Sequence, residues 1–452
     1  MAGSAALDVN TFLDDRAMTR KQWTIVLLSV LILILDGFDT TMMGFIAPAL
    51  IEDWGLSREA LGPLMMSGLV GLSIGALVAG PLADRIGRKS IITLSVLFFG
   101  LWSLASAFST DLTTLTVLRF LTGVGLGASM PNTSTLVAEY SPLRRRALLV
   151  TSAYSGFALG GALGGFASEH LIQALGWRSV FVVGGVLPML LAVLLWWQLP
   201  ESIRFLVHSG KSRQRIVTEV NRVVPGLVNE HTSFFNSEQL STTPDTAGKG
   251  IFGLILGELR VGTLMLWTSM FMGLLLIYLL GSWLPIIARS AGLSLSEAAI
   301  IGAMLQLGGV LGNFTVGMKM DRWDKNHVLS LVMFGCSVFC LLIALAPATP
   351  LMLGTLVFGL GYCINSCNTG CYAMATHFYP TSVRATGVSW TSGIGRLGAI
   401  FGAGFGAVMM GQNWTLQETF LFLCCPPLIS CMAMQYKRLH ERRRARQVAA
   451  AA

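Results

Sequence analysis

Two aspartates, Asp36 and Asp39, lie three residues apart in the segment LDGFDTTMMGFIAPAL, which is otherwise almost entirely apolar. Residues at this spacing on a helix point to nearly the same side. An aspartate at the centre of a membrane-spanning helix costs about 2.5–3.5 kcal/mol, so it usually faces a cavity and takes part in function. Because burial and a nearby like charge both favour the protonated carboxyl group, the pair predicts a coupled site that takes up and releases a proton near neutral pH.

Three further charges lie within apolar stretches or at their ends: Arg119, Glu139 and Arg396. An arginine offers a planar fork that binds a carboxylate through two hydrogen bonds. We therefore expect Arg396 or Arg119 to hold an anionic substrate. The coupling proton is assigned to the two aspartates and to Glu139. The alternative is that these charges form static ion pairs that only hold helices together.

Several uncharged polar and aromatic residues are candidates for contacts to the same substrate. Asn365, Asn368 and Tyr372 recur at i, i+3 and i+7, which places them on one face of a helix. We assign these three residues and Trp390 to substrate binding. Hydrogen bonds between helices are an equally good explanation of the polar residues, and packing is the alternative for the tryptophan.

The cysteines and histidines do not predict a metal or cofactor site. Cys363, Cys367 and Cys371 fall at i, i+4 and i+8 on one helix face, without the closing ligands that a metal needs. They are interpreted as small packing residues. Histidine is the side chain that ordinarily changes charge near neutral pH, but His327 and His377 are given no role. We expect no cofactor, with the proton as the coupling ion.

The elements that must position these residues are membrane helices. Of the 452 residues, 53% are hydrophobic and 12% are charged, and the mean hydropathy is +0.67. Soluble proteins carry about 25% charged residues, and a bilayer span needs about 20 apolar ones. The sequence therefore predicts an all-α polytopic membrane protein with twelve transmembrane helices. The predicted spans are 23–50, 60–80, 90–110, 113–138, 147–170, 179–199, 259–287, 297–318, 327–347, 350–378, 384–410 and 414–436.

The basic residues predict the orientation of the chain. Lysine and arginine concentrate in every second connection and in the final segment, which predicts that both termini are cytoplasmic. This pattern also explains the net charge of +8, and nothing in the sequence is typical of a nucleic-acid-binding module.

The two halves of the chain repeat one another. GPLADRIGRK (80–89) is repeated as GMKMDRWDKN (317–326), and YSPLRRRALLVTSAYSG is repeated as YPTSVRATGVSWTSGIG. Such repeats predict two six-helix bundles that rock around a site at their interface. The polar connection between them is predicted to be a linker with one short helix near 213–223. The predicted parts are an N-terminal segment (1–22), a first bundle (23–200), the linker (201–258), a second bundle (259–436) and a basic cytoplasmic tail (437–452).

Several of these motifs resemble a known family. GPLADRIGRK, RFLTGVGLGASMPN and LPESIRFL look like signatures of the major facilitator superfamily. LDGFDTTMMGFIAPAL, LVAEYSP, FYPTSVRATGVSW and GIGRLGAIFGA are similar to the aromatic acid:proton symporter family of bacteria. The resemblance implies the major facilitator fold and the import of hydroxybenzoate- or protocatechuate-type acids. The charged positions that match the family pattern are Asp36, Asp39, Arg119, Glu139, Arg384 and Arg396.

The resemblance also implies that charged loop residues gate the transport path. The loop after span 2 and its counterpart after span 8 would latch the bundles, and Arg384 would lie at the cytoplasmic rim of span 11. A topology anchor without a gating role is the alternative. The residues assigned to gating are Asp84, Arg85, Arg88, Arg384, Asp321 and Arg322.

The expected function is proton-coupled import of an aromatic acid anion by alternating access, in a bacterial inner membrane. We expect the substrate, protons and the lipid bilayer as partners, no nucleic acid, no obligate protein partner and a monomer. An importer of another small organic acid, a drug/proton antiporter and an aromatic-acid sensor are the alternatives. An enzyme is not expected, because the sequence has no HExxH or Walker motif.

Overall fold

The computed structural model describes residues 6–8, 12–14, 16–229, 232–235, 259–347, 349–379 and 383–451. Its secondary structure is almost entirely helical, with two strands of three residues each. The elements are β1 (Ala6–Asp8), α1 (Arg20–Trp54), a 3-10 turn (Glu59–Leu61), α2 (Gly62–Ile86), α3 (Arg88–Ser106), α4 (Leu112–Glu139), α5 (Leu143–Leu175), α6 (Arg178–Gln198), α7 (Ile203–His208), α8 (Arg213–Val223), β2 (Ser233–Phe235), α9 (Arg260–Ser290), α10 (Leu295–Arg322), α11 (Lys325–Leu345), α12 (Pro350–Phe378), α13 (Arg384–Gly411), α14 (Leu416–Phe422) and α15 (Cys425–Ala451).

Among the described residues, twelve helical segments are long and apolar enough to cross a membrane. They correspond to α1–α6, α9–α13, and α14 together with α15, so the prediction of twelve membrane helices is confirmed. Local sequence sets several of their ends. The carboxylate of Asp111 accepts the N–H of Thr114 at the start of α4, and Ser294 and Glu297 form a capping box at the start of α10.

The linker helix predicted near 213–223 is confirmed as α8. Its apolar side is buried through Ile216, Val220 and Val223. The same buried cluster includes Leu13 of the N-terminal segment and Leu199 after α6. Strand β1 also pairs in parallel with β2 of the linker. The N-terminal segment and the linker therefore pack together on the end of the first helices that carries the basic loops, which we call the basic end.

The chain forms two compact units. The first unit contains residues 1–40, 70–160 and 181–243, and the second contains 41–69, 161–180 and 244–452. One boundary falls between residues 243 and 244 of the linker. The other four fall inside α1, α2, α5 and α6, because the far ends of these helices pack with the second half of the chain. The predicted parts of the chain follow the sequence repeat, and their boundaries stay a prediction.

Candidate functional site

Asp39 and Arg119 form a two-point ion pair within the first unit. Arg119 Nη2 donates to Asp39 Oδ2 at 2.8 Å, and Nη1 donates to Oδ1 at 3.1 Å. Nη2 also donates to the backbone carbonyl of Asp39 at 3.1 Å, and Ser103 Oγ donates to Oδ1 at 2.8 Å. The two side chains are 1% and 4% exposed. The guanidinium of Arg119 is therefore engaged by a carboxylate of the protein itself.

Asp36 has a different partner on the same helix, α4. Ser129 Oγ donates to Asp36 Oδ2 at 3.0 Å, and Asp36 is 1% exposed. Arg119 and Ser129 are ten positions apart, which is about 15 Å along a helix. Both aspartates thus face α4, in agreement with their spacing, but each is held at its own level of that helix. Ser103 lies outside the motifs, and Ser129 lies within RFLTGVGLGASMPN but was given no role. A hydroxyl group in an apolar span is the signal that could have identified both serines.

The predicted substrate contacts on α12 and α13 lie in the second unit. Tyr372 Oη and Ser392 Oγ share a hydrogen bond of 3.1 Å, and Arg396 lies close enough for its charge to act on the phenol. Asn365 Nδ2 donates to the carbonyl of Gly361 at 3.3 Å. The hydrogen bond between Tyr372 and Ser392 shows that α12, which carries the two asparagines and the tyrosine, packs against α13, which carries Arg396.

Trp390, the aromatic candidate at the start of α13, stacks on Trp267 of α9. Their ring centroids are 6.1 Å apart with an interplanar angle of 29°. Trp390 is 41% exposed, whereas Trp267 is buried. The buried ring of Trp267 thus stacks on Trp390, and part of Trp390 stays exposed.

Glu139 lies with the predicted gating residue Arg88, not with the two aspartates. Arg88 Nη1 donates to Glu139 Oε1, and Ser202 Oγ donates to Glu139 Oε2 at 2.6 Å. The Glu139 side chain is 6% exposed. Because Glu139 is ten positions along α4 from Ser129, it is about 15 Å from the level of Asp36. These contacts connect the motifs GPLADRIGRK, LVAEYSP and LPESIRFL at the basic end.

Glu201 completes this network, although only its motif drew attention in the sequence. Its Oε1 accepts the backbone N–H groups of Lys89 at 3.0 Å and Ser202 at 2.9 Å. Tyr140 Oη donates to the Glu201 carbonyl at 2.5 Å. Burial raises the pKa of Glu201, and the backbone donors oppose that rise. Gly87 has φ +96°, and a Cβ there would meet the Glu201 carboxylate, so this turn requires glycine.

The other predicted gating residues lie at the ends of α2 and α10 and at the start of α13. Arg85 and Arg322 are exposed at the ends of α2 and α10. The side chains of Asp84, Asp321 and Arg384 lie outside the described part of the structure.

In the second half of the chain, Lys437 forms a network of contacts that the sequence did not predict. Lys437, assigned to the basic tail, is only 1% exposed. Its Nζ donates to Glu441 Oε1 at 2.7 Å and Asn326 Oδ1 at 3.0 Å, and it lies 4.4 Å from the centre of the Phe378 ring. An ammonium group is buried here because a carboxylate, an amide and an aromatic face replace its water. The helix α15 continues through this residue.

His327 and Asp324 contact Arg438, the residue that follows Lys437 in α15. Arg438 Nη1 donates to His327 Nδ1 at 3.1 Å, and Arg438 Nε donates to Asp324 Oδ2 at 3.3 Å. Burial by itself would raise the pKa of Asp324, but the N–H of His327 and the charges of Arg438 and Arg442 lower it below its ordinary value. His377 is exposed at the end of α12.

The helical cysteines lie in packed surroundings. Cys367 Sγ and Cys371 Sγ are 3.9 Å apart, and Ser269 Oγ lies 3.5 Å from Cys371 Sγ. Ser269 also shares a hydrogen bond of 2.6 Å with Ser430, so this contact joins α9, α12 and α15. Within the described ranges, no group of three or more His, Cys, Asp or Glu side chains is arranged to hold a metal ion.

The chain matches a family model along most of its length. The model is that of the Major Facilitator Superfamily, and it matches residues 29–368 and 266–452. The inward-open xylose transporter XylE from Escherichia coli has a similar fold, with a TM-score of 0.73 and 18% sequence identity. That similarity covers 92% of this chain and 96% of XylE. The predicted major facilitator fold is thus confirmed.

Much more similar sequences occur among bacterial transporters. The chain is 46% identical over 435 residues to the 4-hydroxybenzoate transporter PcaK of Pseudomonas putida, with 96% of each chain covered. It is 44% identical over 434 residues to a gallate transporter of Pseudomonas putida, with 95% of each covered. The protein is therefore a multi-pass membrane transporter and not an enzyme. It belongs to the Major Facilitator Superfamily and, within it, to the family of the bacterial aromatic-acid transporters.

Proposed function

We propose that the protein imports aromatic carboxylic acids of the hydroxybenzoate type together with protons, by alternating access. Two of its similar relatives are named transporters of 4-hydroxybenzoate and gallate, both hydroxylated benzoic acids. The observation that carries the proposal is the buried pair of Asp39 and Arg119. Asp39 supplies a carboxyl group whose protonation would break the ion pair. Because Arg119 is paired with Asp39, we assign the substrate anion to Arg396.

The proton is assigned to the Asp36 and Asp39 pair. When Asp39 takes up a proton, Arg119 loses the negative charge that compensates its own in a buried place. Loss of one partner of a buried ion pair costs about 3–5 kcal/mol. Protonation of Asp39 therefore favours a different arrangement of α1 against α4. This is how proton uptake is converted into a conformational preference.

The carboxylate of the substrate is assigned to Arg396. Tyr372 lies beside this arginine, and its hydroxyl and the amide of Asn368 are suited to ring hydroxyl groups. The supported ring of Trp390 is suited to stack on an aromatic substrate. Asn365 lies one turn from Asn368 and is kept as a candidate contact. A neutral hydroxybenzene without a carboxylate would lack the charge-assisted contact.

The gates are assigned to opposite ends of the helices. At the basic end, Glu139 contacts Arg88, the first residue of α3, and Ser202, the residue before α7, so we assign it to gating rather than to proton coupling. At the opposite end, helices of the two repeats meet within the second unit. Arg289 Nη2 of α9 donates to Glu52 Oε1 of α1 at 2.9 Å. Ser296 of α10 likewise donates to Glu169 of α5 at 2.6 Å.

The location is proposed to be a bacterial inner membrane with both termini in the cytoplasm. The alternation of basic loops and the bacterial origin of the similar transporters support this orientation. The proposal is that the protein works as a monomer.

Uptake of labelled 4-hydroxybenzoate by cells that express the protein tests the proposal. We expect accumulation above the external concentration, and its loss when a protonophore collapses the proton gradient. Unlabelled gallate and benzoate as competitors would rank the ring substituents. Accumulation that survives the protonophore would refute symport, and binding without uptake would indicate a sensor.

A further inference from the structure

A cavity of about 220 Å³ lies at the basic end of the first unit, where α1 and α5 begin. Its walls are formed by a basic side and an apolar side. The lining residues are Arg16, Ala17, Met18, Trp23, Pro142, Arg144 and Arg145. No step of the proposed transport cycle uses this cavity.

The basic side is built for an anion. Arg144 and Arg145 occupy the first turn of α5, and Arg16 approaches from the segment before α1. The N-terminus of a long helix adds its own positive potential and unpaired N–H groups. Asp14 accepts one of these, the N–H of Leu143, at 2.7 Å. Across the described residues, none of the three arginines forms an ion pair with a carboxylate.

The apolar side continues beyond the cavity along α1. Trp23 is 48% exposed, and Leu27 and Leu31 follow it at i+4 and i+8 with exposures of 59% and 36%. These residues form an exposed apolar stripe that starts at the arginines. Tryptophan beside a basic cluster is typical of the level of lipid headgroups. A small soluble anion would use the arginines but not the stripe.

We propose that this cavity binds the phosphate group of an anionic phospholipid. Arg144, Arg145 and Arg16 hold the phosphate oxygens, because guanidinium groups form paired charge-assisted hydrogen bonds with phosphate. A water molecule occupies about 30 Å³ of liquid, so the cavity has room for a phosphate and part of its glycerol. An acyl chain lies along Trp23 and Leu27. The ligand would tie the N-terminal segment and the start of α5 to the membrane surface.

Lipid binding to the purified full-length protein tests this inference without a transport assay. The probes are dihexanoylphosphatidylglycerol and dihexanoylphosphatidylcholine below their micellar concentrations, with binding measured by calorimetry or native mass spectrometry. We expect the anionic lipid to bind more tightly than the zwitterionic one. The double variant Arg144→Gln/Arg145→Gln should weaken that binding at least about tenfold, the equivalent of about 1.4 kcal/mol.

Two further variants separate a site from general charge. Arg16 lies outside the helices, and Arg16→Gln should also weaken binding. Weaker binding in this variant could not be explained by a folding defect in α5. The matched control Arg443→Gln/Arg446→Gln removes two exposed charges from α15 and should leave binding unchanged. Equal weakening by the control, or unchanged binding in Arg144→Gln/Arg145→Gln, would overturn the inference.

Inorganic phosphate distinguishes the two sources of the phosphate group. If millimolar phosphate displaces the lipid from the wild type, but chloride at the same ionic strength does not, free phosphate is a ligand of the same arginines. If phosphate does not displace the lipid, the phospholipid is the ligand. The proposal of a phosphate site is wrong if neither phosphate nor phosphatidylglycerol binds to the wild type.

Discussion

Arg119 binds Asp39 through both terminal nitrogens, at 2.8 and 3.1 Å, and neither side chain is more than 4% exposed. A buried pair of this kind is stable only while both members are charged. Protonation of Asp39 therefore leaves Arg119 with an uncompensated buried charge, and this favours a different packing of α1 against α4. The same pair would also be present if it served only to hold α1 against α4, so the two roles need different predictions.

The single variant Asp39→Asn should abolish accumulation of 4-hydroxybenzoate and lower the free energy of unfolding by about 3–5 kcal/mol, because Arg119 stays buried without its counter-charge. Asp53→Asn is a control, since that carboxylate is paired with Arg178 but half exposed. Uptake in cells and thermal unfolding of the purified protein measure the two effects.

The double variant Asp39→Asn/Arg119→Gln separates proton coupling from a static pair. Removal of both charges should recover much of the lost stability, because no buried charge remains uncompensated. Accumulation should stay lost, because the pair of aspartates to which the proton is assigned has lost the carboxylate of Asp39. A double variant that concentrates its substrate like the wild type would show that the pair is only structural.

Arg396→Lys should weaken substrate binding by about tenfold, because lysine keeps the charge but not the two-point geometry. The concentration dependence of uptake should show a higher KM, with a smaller change in the maximum rate. Arg178→Lys, at an exposed site, serves as the matched control. An unchanged KM in Arg396→Lys would place the carboxylate elsewhere.

Glu139→Gln should slow transport while the final accumulation ratio remains that of a proton-driven importer. The reason is that Glu139 contacts Arg88 and Ser202 at the basic end, so its charge holds a gate. Ser202→Ala removes one of the same contacts and should show a milder form of the same defect. If Glu139→Gln instead exchanges substrate normally but no longer accumulates it, Glu139 belongs to the proton site.

Asp324→Asn should destabilise the protein at neutral pH and not in acid. The pKa of Asp324 is lowered from 3.8 in the folded protein, so its charge stabilises the fold above that value and the stabilisation is lost as the pH falls through the folded pKa. Asparagine keeps the cap on the N–H of His327, so the charge alone is tested. We expect less than about 1 kcal/mol at this partly exposed site. Thermal unfolding at pH 7 and near pH 3 measures it, and an equal loss at both would refute it.

The fold could be predicted from the sequence because membrane helices leave a direct signal. The sequence predicted twelve spans from its long apolar runs, the basic residues in alternate connections and a repeated loop motif. Asp36, Asp39 and Arg119 were recognisable within these spans because a charged side chain in a membrane costs free energy. The amphipathic pattern of 213–223 likewise predicted α8.

The partners of these residues could not be predicted, because pairing depends on which helices meet and at what level. Arg119 was a candidate for the substrate, but α4 places it on Asp39. Glu139 was grouped with the aspartates by its charge, although its position ten residues beyond Ser129 takes it to the loops. Lys437 was predicted to lie in the basic tail, and its burial is explained only by its contacts with Glu441 and Phe378.

The central claim is that substrate and proton move together, and proton movement during uptake tests it most directly. Purified protein in liposomes, without an imposed proton gradient, should raise the external pH when 4-hydroxybenzoate is added outside. Asp39→Asn liposomes should show no such rise. Uptake of labelled 4-hydroxybenzoate without any alkalinisation, or an undiminished pH change with Asp39→Asn, would contradict the account.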